Sequence, residues 1–198
     1  MKRTLYLVWL LTAIGCSTKK QSPPQTPTDS VQTTIDSGPI RTRETLPEKQ
    51  PTKNALTAGA GTWHYERTTD NTNNPVYKAS VVSSNVLDFA FPYAGGSVGT
   101  LTIRKRSTGT TVYLEVSKGQ FNRSFQGGNA QIRFDNGSPV SYFFSGAENG
   151  RANIIFFDAE QKLIRQLKTA KEMVVTIGFN SQGTHQVKFR VAGLRWDH

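Results

Sequence analysis

The chain of 198 residues holds one cysteine, Cys16, and three histidines. One thiol excludes a disulfide framework, and His64, His185 and His198, with no second histidine or cysteine at ligand spacing, form no metal-binding motif. A membrane-spanning segment is missing too, because the apolar run from Leu5 to Leu11 falls well short of the roughly 20 residues a bilayer crossing needs. Aromatic and branched apolar clusters are scarce from residue 17 to 61, where six of the nine prolines stand among Thr, Ser and Gln. Such a stretch cannot bury enough apolar surface to offset its ordering entropy, so it reads as a disordered tether. As a random coil of about 45 residues it would span roughly 35–40 Å.

What precedes the tether has the layout of an export signal. Lys2 and Arg3 form a positive head, Leu5 to Leu11 the apolar run, and Ala13-Ile14-Gly15 a small-residue exit before Cys16. The four residues Ala13-Ile14-Gly15-Cys16 resemble the lipobox of bacterial lipoproteins. That resemblance implies cleavage between Gly15 and Cys16 and a diacylglycerol thioether on Cys16, with acyl chains of the palmitate type. A lone thiol in an oxidising compartment is a liability unless capped, and lipidation caps it. Each buried methylene contributes about 0.8 kcal/mol, so several acyl chains would hold the protein at a bilayer. Ser17, rather than Asp, after the cysteine is similar to the outer-membrane sorting pattern of many Gram-negative bacteria. The expected address is therefore the cell envelope, anchored in the outer membrane and facing the periplasm, with the cell surface as the other face. Residues 1–15 are read as signal peptide, 16–61 as lipidated cysteine and tether, and 62–198 as the folded domain.

Period-two patterns dominate that domain. Leu87, Phe89 and Phe91 alternate with Asp88 and Ala90; Val112, Leu114 and Val116 with Tyr113 and Glu115; Val187, Phe189 and Val191 with Lys188 and Arg190. Leu101 and Ile103, Ile132 and Phe134, Tyr142 to Phe144, Ile154 to Phe157, and Met173 to Phe179 add strands bounded by Gly, Asn, Asp and Ser turns. About nine or ten short strands at this spacing predict a mainly β fold, a single antiparallel β-sandwich or flattened barrel. Residues 159–170 break the pattern: Ala159, Leu163, Leu167 and Ala170 form one helical stripe, with Asp158 as the expected N-cap, so a short helix should lie across one opening. Trp63 and Trp196 stand at the ends of the domain and predict that its first and last strands meet, burying both rings near one another.

The series Trp63-x-Tyr65, Phe91-Pro92-Tyr93, Lys118-Gly119-Gln120-Phe121, Arg133-Phe134-Asp135 and Gly193-Leu194-x-Trp196 resembles an uncharacterised group of exported, β-rich bacterial envelope proteins. Many members of that group carry a cysteine pair flanking the loop between the Gly-Gln-Phe and Arg-Phe-Asp segments. This chain has Asn122 to Asn129 there and no cysteine. The resemblance implies an envelope setting and no activity.

Candidate chemistry is sparse. Gly95-Gly96-Ser97-Val98-Gly99 matches the Gly-x-Ser-x-Gly nucleophile elbow, and Asp158 and His185 follow in hydrolase order, but an elbow needs a helix after the serine. Thr100 to Arg104 reads as another strand, so a glycine-rich interstrand loop is expected instead. Asp88, Glu115 and Asp135 could form a glycosidase pair only if strands brought them together. From 62 to 198 there are 16 Lys and Arg against 10 Asp and Glu. Arg104, Lys105 and Arg106 precede a hairpin turn and would cluster at one tip, a patch for anionic partners such as lipid headgroups, lipopolysaccharide or an acidic protein. No aromatic and basic interleaving marks a nucleic-acid module.

The sequence thus points to a non-enzymatic binding or accessory lipoprotein, without a cofactor, that engages an envelope protein or polymer. An inhibitor or exclusion factor blocking a lytic enzyme or an invading element is a second reading, although a basic domain suits a basic lytic target poorly. A small serine hydrolase acting through Ser97 is a third.

Overall fold

The computed structural model describes residues 52–198. The signal segment, Gly15, Cys16 and the tether as far as residue 51 lie outside the described residues. Residues 52–61, assigned to the tether by composition, pack on the domain. A single helical turn, α1 (Lys53–Leu56), places Lys53 Nζ 2.8 Å from the carboxylate of Asp88 and lays Leu56 close to Gly96.

The mainly β architecture expected from the sequence is present. The strands are β1 (His64–Thr69), β2 (Pro75–Val82), β3 (Gly99–Arg106), β4 (Gly109–Val116), β5 (Gly128–Phe134), β6 (Val140–Gly146), β7 (Ile154–Phe157), β8 (Glu172–Phe179) and β9 (Gly183–Arg190). The main helix, α2 (Glu160–Thr169), joins β7 to β8. All nine strands form one open antiparallel sheet in the order β1-β2-β3-β4-β7-β6-β5-β8-β9. Among the described residues, no helix is long and apolar enough to cross a membrane.

Alternation sets which face is buried, since successive side chains point to opposite sides of a strand. Leu101 and Ile103, Val112, Leu114 and Val116, Met173, Val175, Ile177 and Phe179, and Val187 and Phe189 all enter one core. The sheet bends until its two halves share that core. Val187 of β9 lies so close to Gly99 of β3 that any Cβ on the glycine would strike its Cγ1. At the join, residues 83–85 run beside the β9 edge. Ser84 N donates to Lys188 O at 2.7 Å, Asn85 Nδ2 donates to Gln186 O at 2.8 Å, and Lys188 N donates to Asn85 Oδ1 at 2.8 Å. The Asn85 amide thus acts as one further peptide group and satisfies an edge that would otherwise be open.

Helix α2 buries Leu163, Ile164 and Leu167 in the same core, as its stripe requires. Its N-cap is Ala159, without a side-chain cap bond, and not Asp158. The backbone N–H of Asp158 donates to Phe143 O at 3.1 Å, so the β6–β7 pairing runs on to this residue and the helix begins one residue later.

The 87–91 alternation does not produce a strand. Leu87 makes one isolated bridge to Ser97, Phe89 packs inward, and Phe91 is 89% exposed. Pro92 has no N–H to continue a ladder, and Gly95 and Gly96 turn the chain at φ 91° and 84°. Phe89 instead meets Phe179 and His185 at ring separations of 4.9 and 5.1 Å.

Trp63 and Trp196 are both buried in the core, but β1 and β9 are the opposite edges of the sheet and share no ladder. The tail after β9 makes the connection. Trp63 Nε1 donates to Val191 O at 2.9 Å, Arg195 N donates to the Tyr65 hydroxyl at 2.7 Å, and His198 stacks on Tyr77 at 4.0 Å.

Because the Asn85 amide closes the gap beside β9, Asn85→Ala is expected to lower the unfolding free energy by about 1–3 kcal/mol through two lost hydrogen bonds. Urea midpoints at neutral pH measure it, and an unchanged midpoint would show that water replaces the amide at no cost.

Candidate functional site

The β3–β4 hairpin turns through Ser107 and Thr108, with Arg106 facing Gly109 across the ladder. The pleat then divides the three cations expected to cluster at its tip. Arg104 and Arg106 share the outer face with Thr102, while Lys105 falls in the row of Ile103 and of Tyr77 and Thr110, its cross-strand partners. Two cations, not three, therefore stand together.

Arg104 has the least ordinary surroundings of the two. Its register neighbours are Lys78 on β2 and Thr111 on β4, so neither side supplies a carboxylate. The guanidinium carbon sits 5.3 Å from the Tyr113 ring centroid and 6.0 Å from that of Phe156. Such contacts offset roughly 0.5–2 kcal/mol of the cost of removing a cation from water. Burial, followed by repulsion from Arg106, still pulls the pKa of Arg104 below its ordinary value. Its Nε and the hydroxyl of Thr111 are both buried without a hydrogen-bond partner. Neither Arg104 nor Arg106 takes part in a salt bridge among the described residues. The Thr72 hydroxyl and the backbone N–H groups of Asn74 and Thr72 hold the pKa of Asp70 low, and the charge of Arg106 adds a smaller pull in the same direction.

Arg104, Arg106 and Thr111 line a groove of about 760 Å³ that also takes in Arg151, Phe156, Glu148 and Asp158. Arg151 is engaged with Glu115. Asp158 also borders a second hollow of about 620 Å³, lined by Asn122, Arg123, Gln126, Asn129 and Phe143. The loop 122–128 forms one wall of this hollow. Here the fastening is noncovalent. Asn122 N donates to Gly178 O at 2.9 Å, and the Ser124 carbonyl lies where a Cβ on Gly146 would have to sit, 1.7 Å from the ideal position.

Two exposed aromatic rings, one on the outer face of β6 and one in the 122–128 loop, escape a purely compositional reading. Phe143 and Phe125 are each 69% exposed. Phe143 had a signal in the sequence, because in the run Tyr142-Phe143-Phe144 only alternate rings can enter the core. Phe125 had none, since its position depends on how the loop docks.

The remaining candidates lie apart or are already engaged. Ser97 is fully buried; its hydroxyl donates to Lys118 O at 2.8 Å and accepts from Lys118 N at 3.0 Å. The chain continues into β3, not into a helix, so the elbow geometry is absent. His185 places Nε2 2.9 Å from Gln182 O and its ring edge-on to Phe89. His64 is exposed on β1, and His198 lies on Tyr77. Among the described residues no three His, Cys, Asp or Glu groups assemble as metal ligands. Asp88 pairs with Lys53, Glu115 with Arg151, and Asp135 accepts the backbone N–H groups of Lys171 and Glu172 at 2.9 and 2.8 Å. Those two bonds, Glu172 first, depress the Asp135 pKa. The three carboxylates thus each serve a local contact of their own. In comparisons with known proteins, the chain matches no family model, no curated protein and no solved structure.

The absence of a side chain at residue 146 lets the loop dock, so Gly146→Ala is expected to lift residues 122–128 while leaving the inner core in place. Hydrogen exchange would read this as at least tenfold faster exchange at the Asn122 amide with β3 and β8 unchanged. Unaltered protection of Asn122 would refute the contact.

Proposed function

We propose that this protein is an envelope lipoprotein whose β domain is a non-enzymatic binding module, held to the membrane through Cys16 and carried by the segment between the anchor and residue 52. The observation that carries the binding reading is Phe143, a large ring held outward on the interior strand β6 at the wall of the 620 Å³ hollow, which shares Asp158 with the arginine groove. Exposed aromatics on a rigid element, beside polar side chains that can orient a ligand, have the makeup of a recognition surface. The partner is a resident component of the envelope, a protein or a polymer, and the arginine groove suits one that is anionic. The lipobox resemblance and the polar, proline-rich stretch that follows it support the anchor and the tether.

Two experiments bear on the two halves of this reading. Mass spectrometry of the mature protein is expected to find Cys16 as the N-terminal residue, carrying diacylglycerol, with Cys16→Ser releasing the protein from the membrane fraction. A free thiol at Cys16, or cleavage elsewhere, removes the anchor. Crosslinking in cells is expected to capture an envelope resident, and Phe143→Ser to reduce that capture about tenfold or more, the loss of a well-placed aromatic contact. Equal capture by the variant would exclude this face.

A further inference from the structure

We propose that the groove beside the β3–β4 hairpin is a receptor for a phosphomonoester group, gripped by the guanidinium groups of Arg104 and Arg106. The inference rests on the binding-module reading above and names the chemistry that the face recognises.

Arg104 is a cation partly withdrawn from water, and among the described residues it gains no counter-ion. Arg104 is half-buried, stacked near Tyr113 and Phe156, and bordered in its own sheet by Lys78 and Thr111. Lys78 is itself paired with Glu66 at 3.1 Å, and no salt bridge reaches Arg104 or Arg106 among the described residues. An anion from outside the chain would complete this site. Arg104 Nε and the Thr111 hydroxyl, one cross-strand pair, are buried without a partner, which leaves the terminal nitrogens of Arg104 to meet the anion.

The number and type of cations select the anion. Arg104 and Arg106 stand at alternate positions on one face of β3, about 7 Å apart along the strand, within convergence range of two long side chains. A carboxylate carries one charge and is saturated by a single guanidinium fork. A phosphomonoester carries nearly two charges and three terminal oxygens, enough to engage both forks at once. Guanidinium, planar and always charged, is suited to this geometry where lysine would act only as a point charge. Thr108, Thr111 and Ser145 add hydroxyls to the same groove. Glu148, Asp158 and Glu160 also line it and disfavour ligands with further negative charge around the phosphate. Lys105, on the opposite face, takes no part.

The test is a titration of the full-length chain, carrying Cys16→Ser so that no acyl group competes, with glycerol 3-phosphate, inorganic phosphate and acetate at constant ionic strength. Nitrogen-detected signals of the arginine side chains report the site. Both phosphates are expected to saturate the Arg104 and Arg106 signals at about millimolar concentration, with acetate at least tenfold weaker. Arg104→Lys and Arg106→Ser should each weaken phosphate binding about tenfold, and Lys105→Ser should leave it within about twofold. Arg106 is exposed, so its variant keeps the test decisive should Arg104→Lys fail to fold. Acetate binding as tightly as phosphate, or phosphate binding that survives both arginine variants, would overturn the assignment.

Vesicles identify where the phosphate comes from. Binding to phosphatidylcholine vesicles doped with phosphatidic acid, and not to phosphatidylcholine alone, assigns a lipid-borne monoester. Binding of the soluble phosphates without the vesicles assigns a soluble or polymer-borne one. Each upholds the site, and binding of neither overturns it. If phosphate fails while Phe143→Ser still abolishes partner capture, the phosphate assignment falls and the recognition face stands. If phosphate binds while Phe143→Ser is silent, the groove stands and the wider face falls.

Discussion

A nine-stranded sheet with one apolar face has to curl, because nothing else among the described residues is large enough to cover that face. Helix α2 hides only part of it, so the two halves of the sheet must cover each other. What makes the curl tenable is the join at residues 83–85, where Ser84 and Asn85 take up the hydrogen-bonding groups of β9. Without that join, one edge would present unpaired peptide groups next to a core it is meant to seal. Gly99 answers the same constraint from the inside, since the approach of Val187 leaves no room for a side chain there. The tail from Val191 to His198 serves the other edge, tying Tyr65 and Tyr77 to the end of the chain.

Curling inward leaves an outer face whose residues are excused from packing. Every second position on β3, β4, β6 and β7 points there, which is why Arg104, Arg106, Thr111, Phe143 and Phe156 assemble from four strands. The strands fix these side chains more firmly than loops would, and two loops complete the surroundings. The 122–128 loop docks by a backbone contact that Gly146 permits, a fastening that needs no covalent bond.

Much of this was legible in the residues because burial and period two are the same fact seen twice. Leu101 and Ile103, Val112 to Val116, and Met173 to Phe179 announce their strands and their core faces, and the stripe of α2 announces its helix. The failures lie where a distant contact decides. Strand β2 shows no clear alternation, since its apolar residues Val76, Ala79 and Val81 do not keep one phase. Phe91 continues an alternation yet ends in solvent, because Pro92 and two glycines divert the chain. Residues 52–61 look like tether, and only Asp88 and Gly96, far along the chain, give Lys53 and Leu56 something to dock on. Asp158 has the chemistry of an N-cap, but the β6–β7 pairing runs on to it and the helix begins one residue later. For the candidate site, the cationic run was visible, and alternation alone could have separated Lys105 from its neighbours. That Arg104 lacks a counter-ion could not be seen, because the residues flanking it come from β2 and β4.

On the reading proposed above, the anchor and the groove also explain each other's strength. A groove with two forks and an open rim binds weakly by itself, because the ligand keeps much of its hydration and the complex must repay the lost freedom of both partners. A tether changes that arithmetic. Confinement within a few tens of ångströms of a bilayer sets an effective concentration in the millimolar range for anything on the same surface, so a millimolar site is substantially occupied. Tight binding would then be a disadvantage, since it would fix the domain to one partner and waste the reach of the tether. The half-buried, unpaired Arg104 is consistent with that balance: its desolvation is already met in the fold, which favours binding a phosphate that arrives often and leaves readily.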